Sequence, residues 1–533
     1  MLNSALDARL RPNFDDDRDA DTFLLRLERY APELIGSLEA AYGPERTPAL
    51  LDEVLEVMLL AFHNRPGDLK QLDEARLLRP DWAQESGMLG YVADAARFAG
   101  NLQGVRERLE YLRGLGVTSL HLTDLFQVDG SGATQGHHAV RPEIGTLDDL
   151  SALARSFRAQ GIHLSVDVPL DKVAATHPWA QRAAAGDPQF TAYFVSPTSG
   201  APAWTLDWSQ PAVFRASVDL LLVLAGRGAE VLRLSGLRAL AAGAGPAREE
   251  ATLRALRACV RVVAPAVLFQ AGADAALQDR QDSALHDTRR WLGERAHHGQ
   301  LCDLAEHPTL TGGLWASLHA ADTAPLVRAL QHTPPKPDSA TWTLNLRGGG
   351  PDMTALLGDL DSAAAREDEA GTNTGISRLR LLHALILGFG GLPALHHGNE
   401  LGQRSGPPER ALAEELREGI NTPAGRVFAW TLKLVAARRA LPHLHARVES
   451  RAVPSPDPRV LLLRRDHPLG VMLGVYNFSA ESLPFPASLL RDTLGGGAVD
   501  HLSGERFTFG RPTVRLDPYR ALWLTSPEEG QAG

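Results

Sequence analysis

Cysteine and lysine are both scarce in this chain. Two cysteines in 533 residues, Cys259 and Cys302, exclude a disulfide framework and a cysteine-based zinc module. Lysine occurs only at positions 70, 172, 336 and 433, so 50 of the 54 basic residues are arginine. Acidic residues outnumber them at 64, for a net charge of −10. That balance excludes the basic face a nucleic-acid partner needs. Long hydrophobic runs are missing too. The longest, Leu381–Leu395, is broken by His383 and by glycine and proline. It is short for a membrane span and reads as a buried helix running into a strand. The opening MLNSALDARLRPNFDDD has no basic region leading into an apolar stretch. The expectation is a cytoplasmic, reduced protein without a membrane partner.

What is present is globular: 44% hydrophobic and 22% charged residues, with 49 glycines and 35 prolines. The length predicts two to four domains with ample core. Residues 1–85 read as an N-terminal helical domain, because Thr22–Ala41 and Thr47–Phe62 repeat apolar residues at three and four spacing. Across 86–445 short apolar runs alternate with amphipathic helices. Eight strands are predicted at Met88–Val92, Val117–Leu122, Ile162–Val168, Glu230–Leu234, Ala266–Ala271, Leu301–Ala305, Thr341–Leu346 and Pro393–His397. Serial strand–helix units imply a parallel sheet covered on both faces. Eight of them suggest an α/β fold of the (β/α)8 TIM-barrel type. Residues 446–533 turn to short strands between Gly, Pro and Asp turns, which predicts a C-terminal antiparallel β-sandwich.

Local strings sharpen this order. They are MLGYVADAARFAGNLQGVRERLEYLRGLGVTSLHL at 88–122, IGTLDDLSALARSFRAQGIHLSVDV at 144–168, WAQRAAAGDP at 179–188 and EVLRL at 230–234. LWASL at 314–318, TPPKP at 333–337 and LILGFGGLPALHHGNELG at 385–402 continue the series. Together they resemble the amylosucrase branch of the α-amylase family, glycoside hydrolase family 13, from about residue 22 to 525. The resemblance implies carbohydrate metabolism, with α-glucans or sucrose as the substrate class, and cleavage of α-glucosidic bonds with retention. It places a nucleophilic carboxylate after the fourth strand, an acid/base Glu after the fifth and a stabilising Asp after the seventh. Retaining chemistry needs the first two carboxyls about 5–5.5 Å apart, with the acid kept protonated.

This chain departs from the family at every one of those positions. The fourth-strand Arg-Leu-Asp reads Arg233-Leu234-Ser235, so Ser235 stands for the nucleophile. The fifth-strand Glu is Gly272. The seventh-strand His-Asp falls on the run Arg347-Gly348-Gly349-Gly350, so Gly349 and Gly350 hold its place. The third-strand Asp-x-x-x-Asn-His keeps Asp167 but ends Asp171-Lys172. The Gly-Gly-Tyr platform after the second strand is replaced by a run from Gly130 to His138 without an aromatic ring. The large insertion after the third strand shrinks to about 40 residues between Asp167 and Trp208, and the second insertion spans about Gly348–Gly375, which predicts a shallow, open mouth. General acid catalysis alone is worth about 10²–10⁴-fold. Joint loss of three carboxylates therefore predicts a pseudoenzyme. Its partners would be an α-glucan or oligosaccharide, a second copy in a homodimer, or an active relative.

Rival readings attach to other residues. Displaced carboxylates at Asp171, Asp207, Asp274 and Asp352 would restore an α-glucosidase or transglucosylase; Asp274 and Asp352 are the foremost. An assembly or regulatory role through the helical N-terminal region is a third alternative. Trp204 and Trp208 suit sugar stacking or barrel packing, and Glu400 lies at the end of the eighth strand, on the expected active face. The run Gly130–Gly136 does not open a helix, so it fails as a phosphate loop. His137 and His138 with Asp124 form a weak metal candidate, and Ser235 lacks a G-x-S-x-G elbow. No cofactor or metal is expected.

Overall fold

A computed structural model describes residues 8–126, 140–195, 203–272, 300–333, 340–346, 350–403 and 422–527. Eight parallel strands close into a barrel. They are Gly90–Asp94, Ser119–Thr123, His163–Pro169, Ala229–Ser235, Leu268–Ala271, Leu304–Glu306, Thr341–Asn345 and Leu392–His396. Each expected strand is found. The sixth runs one residue further than its sequence suggested, to Glu306, and that residue proves central to the mouth.

The strand pattern explains the closure. In the fourth strand Leu232 and Leu234 point outward and are fully buried beneath helices, while Val231, Arg233 and Ser235 alternate with them on the inner face. The flanking helices carry the complementary stripes. Leu147–Arg158 begins with a capping box in which Thr146 and Asp149 satisfy each other's backbone N–H, and it buries Leu150, Leu153, Ala154 and Phe157. The barrel floor is apolar, with Trp82, Ala83 and Met88 packing on Val231, Leu268, Leu304 and Leu392.

The N-terminal helices Asp17–Tyr42 and Thr47–Asn64 lie against the barrel helices Pro211–Gly226 and Pro246–Val263, and the helix Gly67–Leu77 follows them. Phe23, Leu27, Leu34 and Leu38 form the seam of the first. A buried ion pair fastens the group. Asp73 accepts from Arg65 Nε at 2.7 Å and Nη2 at 2.8 Å, and also from the backbone N–H of Ala266. Arg65 in turn donates to the carbonyl of Ala225.

After the barrel comes a six-stranded antiparallel sheet and a two-stranded ribbon, Leu483–Pro486 with Thr513–Leu516. They share a core that includes Val460, Val475, Phe485 and Leu524. Two buried arginines without a carboxylate partner serve this region, Arg465 joining the C-terminal domain to the barrel and Arg438 fastening the helix Pro423–Ala440 to the barrel. Arg465 donates to the carbonyls of Phe389, His443, His445 and Val448, and Arg438 to those of Met88, Leu387 and Gly391. Loop carbonyls that would otherwise be orphaned are thereby satisfied.

Removing one partner of a buried pair strands the other charge, at a cost of about 3–5 kcal/mol. Asp73→Ala should therefore lower the unfolding free energy measured in urea by that amount. Asp52→Ala, which removes the half-exposed Arg9–Asp52 pair, should leave it unchanged. Equal effects from the two variants would refute this weighting.

Candidate functional site

The inner faces of the strands converge at the C-terminal end of the barrel, where active sites of this architecture sit. Register places Asp167 of the third strand beside Arg233 of the fourth. Arg233 Nη1 donates to Asp167 Oδ1 at 2.8 Å, and its Nε donates to Glu306 Oε1 at 2.6 Å from the sixth strand. His121 Nε2 lies 3.2 Å from the same Asp167 oxygen. One guanidinium thus spans the mouth between two carboxylates. Burial opposes the charge on Asp167, but His121 and Arg233 outweigh it and hold the carboxyl well below its usual range. Burial likewise opposes the charge on Arg233, and the two carboxylates outweigh it. His396, at the end of the eighth strand, is pushed down to about 4, chiefly by burial and then by the neighbouring His121, so it is neutral at physiological pH.

Beneath this clamp the barrel is hollow. A cavity of about 480 Å³ descends from Glu306 and His396 to Gly90 and Leu392 on the floor layer. A shallow mouth was expected from the shortened insertions. The depth has a different origin, in small inward residues: Gly90, Ser119, Ser165 and Ala394 stand where this architecture ordinarily carries bulky branched side chains.

The structure scatters the family positions. Ser235 ends the fourth strand, and its carbonyl accepts from Leu170 N–H at 3.0 Å. Among the described residues its hydroxyl makes no hydrogen bond to a base. Gly236 follows at φ +70°, and a Cβ there would fall 2.5 Å from Asp171 Cβ, so glycine is required beside that aspartate. Gly272 donates its N–H to Leu234 O at 2.9 Å. A Cβ at 272 would lie 2.9 Å from Arg233 Cζ and 3.1 Å from the carbonyl oxygen of Leu234. The guanidinium therefore leans into the space a general acid would need.

Three of the proposed relocated carboxylates, Asp352, Asp207 and Asp171, lie among the described residues. Asp352 sits on the helix Pro351–Ala365 and bonds the exposed His319 at 3.0 Å. Asp207 accepts from Ser209 N–H and from the Gln210 amide at the start of the next helix. Asp171 packs on Gly236, and its carbonyl accepts from Leu206 N–H. Gly350 caps the helix that carries Asp352. Lys172 opens a short hairpin with Ala203–Thr205. Asp274, Gly349, His137 and His138 lie outside the described residues. Trp208 is packing: it is buried and donates to Leu170 O at 2.7 Å. Trp204 is buried beside Phe194.

Glu306, His121, His396 and Ser165 were missed in the sequence. Their signal was alternation, since each occupies an inward position of its strand. Two further carboxyl features lie nearby. Asp124, with φ +54°, has its carboxyl raised by burial, by Asp94 with which it shares a hydrogen bond, and by Asp167. Glu400 is fully buried and accepts from Tyr91 Oη at 2.6 Å and Tyr111 Oη at 2.7 Å, leaving Oε2 without a partner. Among the described residues no group of three or more His, Cys, Asp or Glu could hold a metal ion. No described helix is long and apolar enough to cross a membrane.

Comparison with known proteins supports this fold. The family described as the α-amylase catalytic domain matches residues 68–215, and the amylosucrase C-terminal domain matches 450–525. The chain is thus similar to α-amylase-family proteins over two separate stretches, in an amylosucrase-like domain order. The Mycobacterium tuberculosis trehalose synthase/amylase is 24% identical over 363 residues, which is 57% of this chain and 59% of that protein. A trehalose synthase from Thermus thermophilus is 23% identical over 398 residues, covering 64% and 40%. This chain therefore spans about three-fifths, or less, of the length of these relatives. Among solved structures, the α-amylase of Geobacillus thermoleovorans complexed with acarbose aligns with TM-score 0.61 at 16% identity, over 83% of this chain and 98% of that one. The cyclic α-maltosyl-(1→6)-maltose hydrolase of Arthrobacter globiformis aligns with TM-score 0.62 at 16% identity, over 84% and 100%. Both show the shared fold.

Two predictions follow from these contacts. Gly272→Glu must displace a guanidinium held by two carboxylates, so it should destabilise the fold by about 1–3 kcal/mol, the range for overpacking. A urea midpoint equal to that of the parent would contradict it. For Glu400, burial raises the carboxyl above 4.5, opposed by the two tyrosine hydroxyls. An acid raised in the folded state contributes stability at low pH, and that contribution is lost as pH rises from about 4.5 through the raised value. Glu400→Gln should therefore raise Tm more at about pH 8 than at about pH 5. A constant difference across that range would rule this out.

Proposed function

We propose that this chain is a non-catalytic member of the α-amylase family that binds α-glucosidic carbohydrate at its barrel mouth. The carrying observation is the Arg233 clamp. The guanidinium that would orient a nucleophile is bonded to Asp167 and Glu306 instead, beside Ser235 and Gly272. Nucleophile and acid are both replaced, and loss of a nucleophile costs on the order of 10⁶ in a comparable hydrolase. The polar mouth, with Asn345, Thr311 and Glu306, retains hydrogen-bonding groups suited to sugar hydroxyls. The names of the relatives point to trehalose, maltose and longer α-glucans as the ligands to try first.

A second reading keeps catalysis with different carboxyls. It is favoured by the opposed ionisation of two neighbours, Asp124 raised and Asp167 held low, which is the pattern of an acid–base pair.

The test is release of reducing sugar from sucrose, trehalose and maltooligosaccharides by the purified chain, with isothermal titration of the same ligands. Binding without turnover is expected. Turnover that co-purifies with the chain and is abolished by Asp124→Asn would replace this reading with the second.

A further inference from the structure

We infer that the barrel lumen beneath the Arg233 clamp is a seat for one neutral, monosaccharide-sized polyol. This rests on the carbohydrate-binding reading and moves the bound ring from the rim into the interior.

Space comes first. The cavity of about 480 Å³ lies within the usual range for small-molecule sites, roughly 300–1,000 Å³. It is bounded below by the apolar floor that includes Leu392, so a glucan chain cannot pass through it. One ring with its water fits; a longer oligosaccharide is held at the rim, outside the lumen.

Hydrogen bonding comes second. Ser165 is only 2% exposed, lines the cavity, and its Oγ has no partner. His396 Nε2 is buried on the same cavity without a partner. Gln270 Nε2 reaches Thr343 Oγ1 only at 3.4 Å, close to the limit of a hydrogen bond. Ser119 and Asn345 complete a wall of groups that both donate and accept. Vicinal hydroxyls, which also do both, match such a wall.

Charge comes third and selects against ionic ligands. Arg233 is the single Lys or Arg side chain on the described lining, and it is already bonded to Asp167 and Glu306. His121 is bonded to Asp167. A phosphate would meet no uncommitted cation, and it would lie beside two carboxylates. The ligand is therefore a neutral sugar rather than a sugar phosphate.

Titration calorimetry on the full chain with D-glucose, glucose 6-phosphate and maltoheptaose tests this. Glucose should bind, and glucose 6-phosphate about tenfold or more weaker. Ser165→Val and, independently, Ser119→Val fill the lumen with the kind of side chain other barrels carry there. Each should weaken glucose about tenfold or more and leave maltoheptaose, held at the rim, within about twofold. In the unmodified chain the His396 ring resonances should shift with glucose, a readout that needs no variant. The inference is overturned if glucose does not bind, or binds undiminished in both valine variants. It is also overturned if the His396 resonances stay fixed while glucose binds. Maltoheptaose binding without glucose binding would sink the lumen seat and spare the glucan-binding reading. Absence of both would remove the two together.

Discussion

Arg233 supplies the positive charge that lets two carboxylates remain at the barrel mouth. Asp167 and Glu306 come from the third and sixth strands, and one guanidinium reaches both. Desolvated charges of this kind are tolerated only when paired and hydrogen-bonded. The rest of the mouth follows from that constraint. His121 takes its orientation from Asp167, Asp124 feels Asp167 as a repulsive neighbour, and the space at Gly272 is occupied by the guanidinium itself. Ser235 and Gly272, the positions that the resemblance marks for nucleophile and acid, thus stand beside a charge-neutralising bridge.

The apolar core does not depend on that bridge, because its packing lies elsewhere. Leu232 and Leu234 of the fourth strand pack outward under helices, and the N-terminal helices add an apolar seam with the buried Arg65–Asp73 pair. Those layers never touch the lumen. A barrel can therefore lose its catalytic side chains without loss of outward packing, which is why fold and activity separate so readily in this architecture.

That separation also explains what could be read in advance. The eight strands were legible because each is a short apolar run between helical stripes. The readings at Ser235 and Gly272 rested on the recognisable strings around them. Glu306 was not, since the predicted sixth strand stopped at Ala305 and no motif marks the next residue. The bridge itself joins residues 66 and 73 positions apart across a closed sheet, a proximity that linear spacing does not encode. Asp352 and Asp207 illustrate the converse. Both were attractive by position, and both are taken up by local contacts, a histidine on a neighbouring helix and a helix start.

The lumen poses an energetic question that packing alone does not answer. An unpaired buried hydroxyl costs about 1–3 kcal/mol, and a void forfeits dispersion contacts as well. Valine in place of Ser165 would remove the orphan oxygen and fill space in one step. Serines at 119 and 165 with glycine at 90 are therefore a poor solution for a barrel that only has to stand. They are a reasonable solution for one whose interior is periodically occupied by something that hydrogen-bonds. In the occupied state the cost is offset by contacts to the guest. In the empty state it is met by water, which needs the same two to four polar partners the cavity offers. The stability lost to a polar lumen thus reappears as affinity, and it is set by the residues beneath the Arg233 bridge rather than in it.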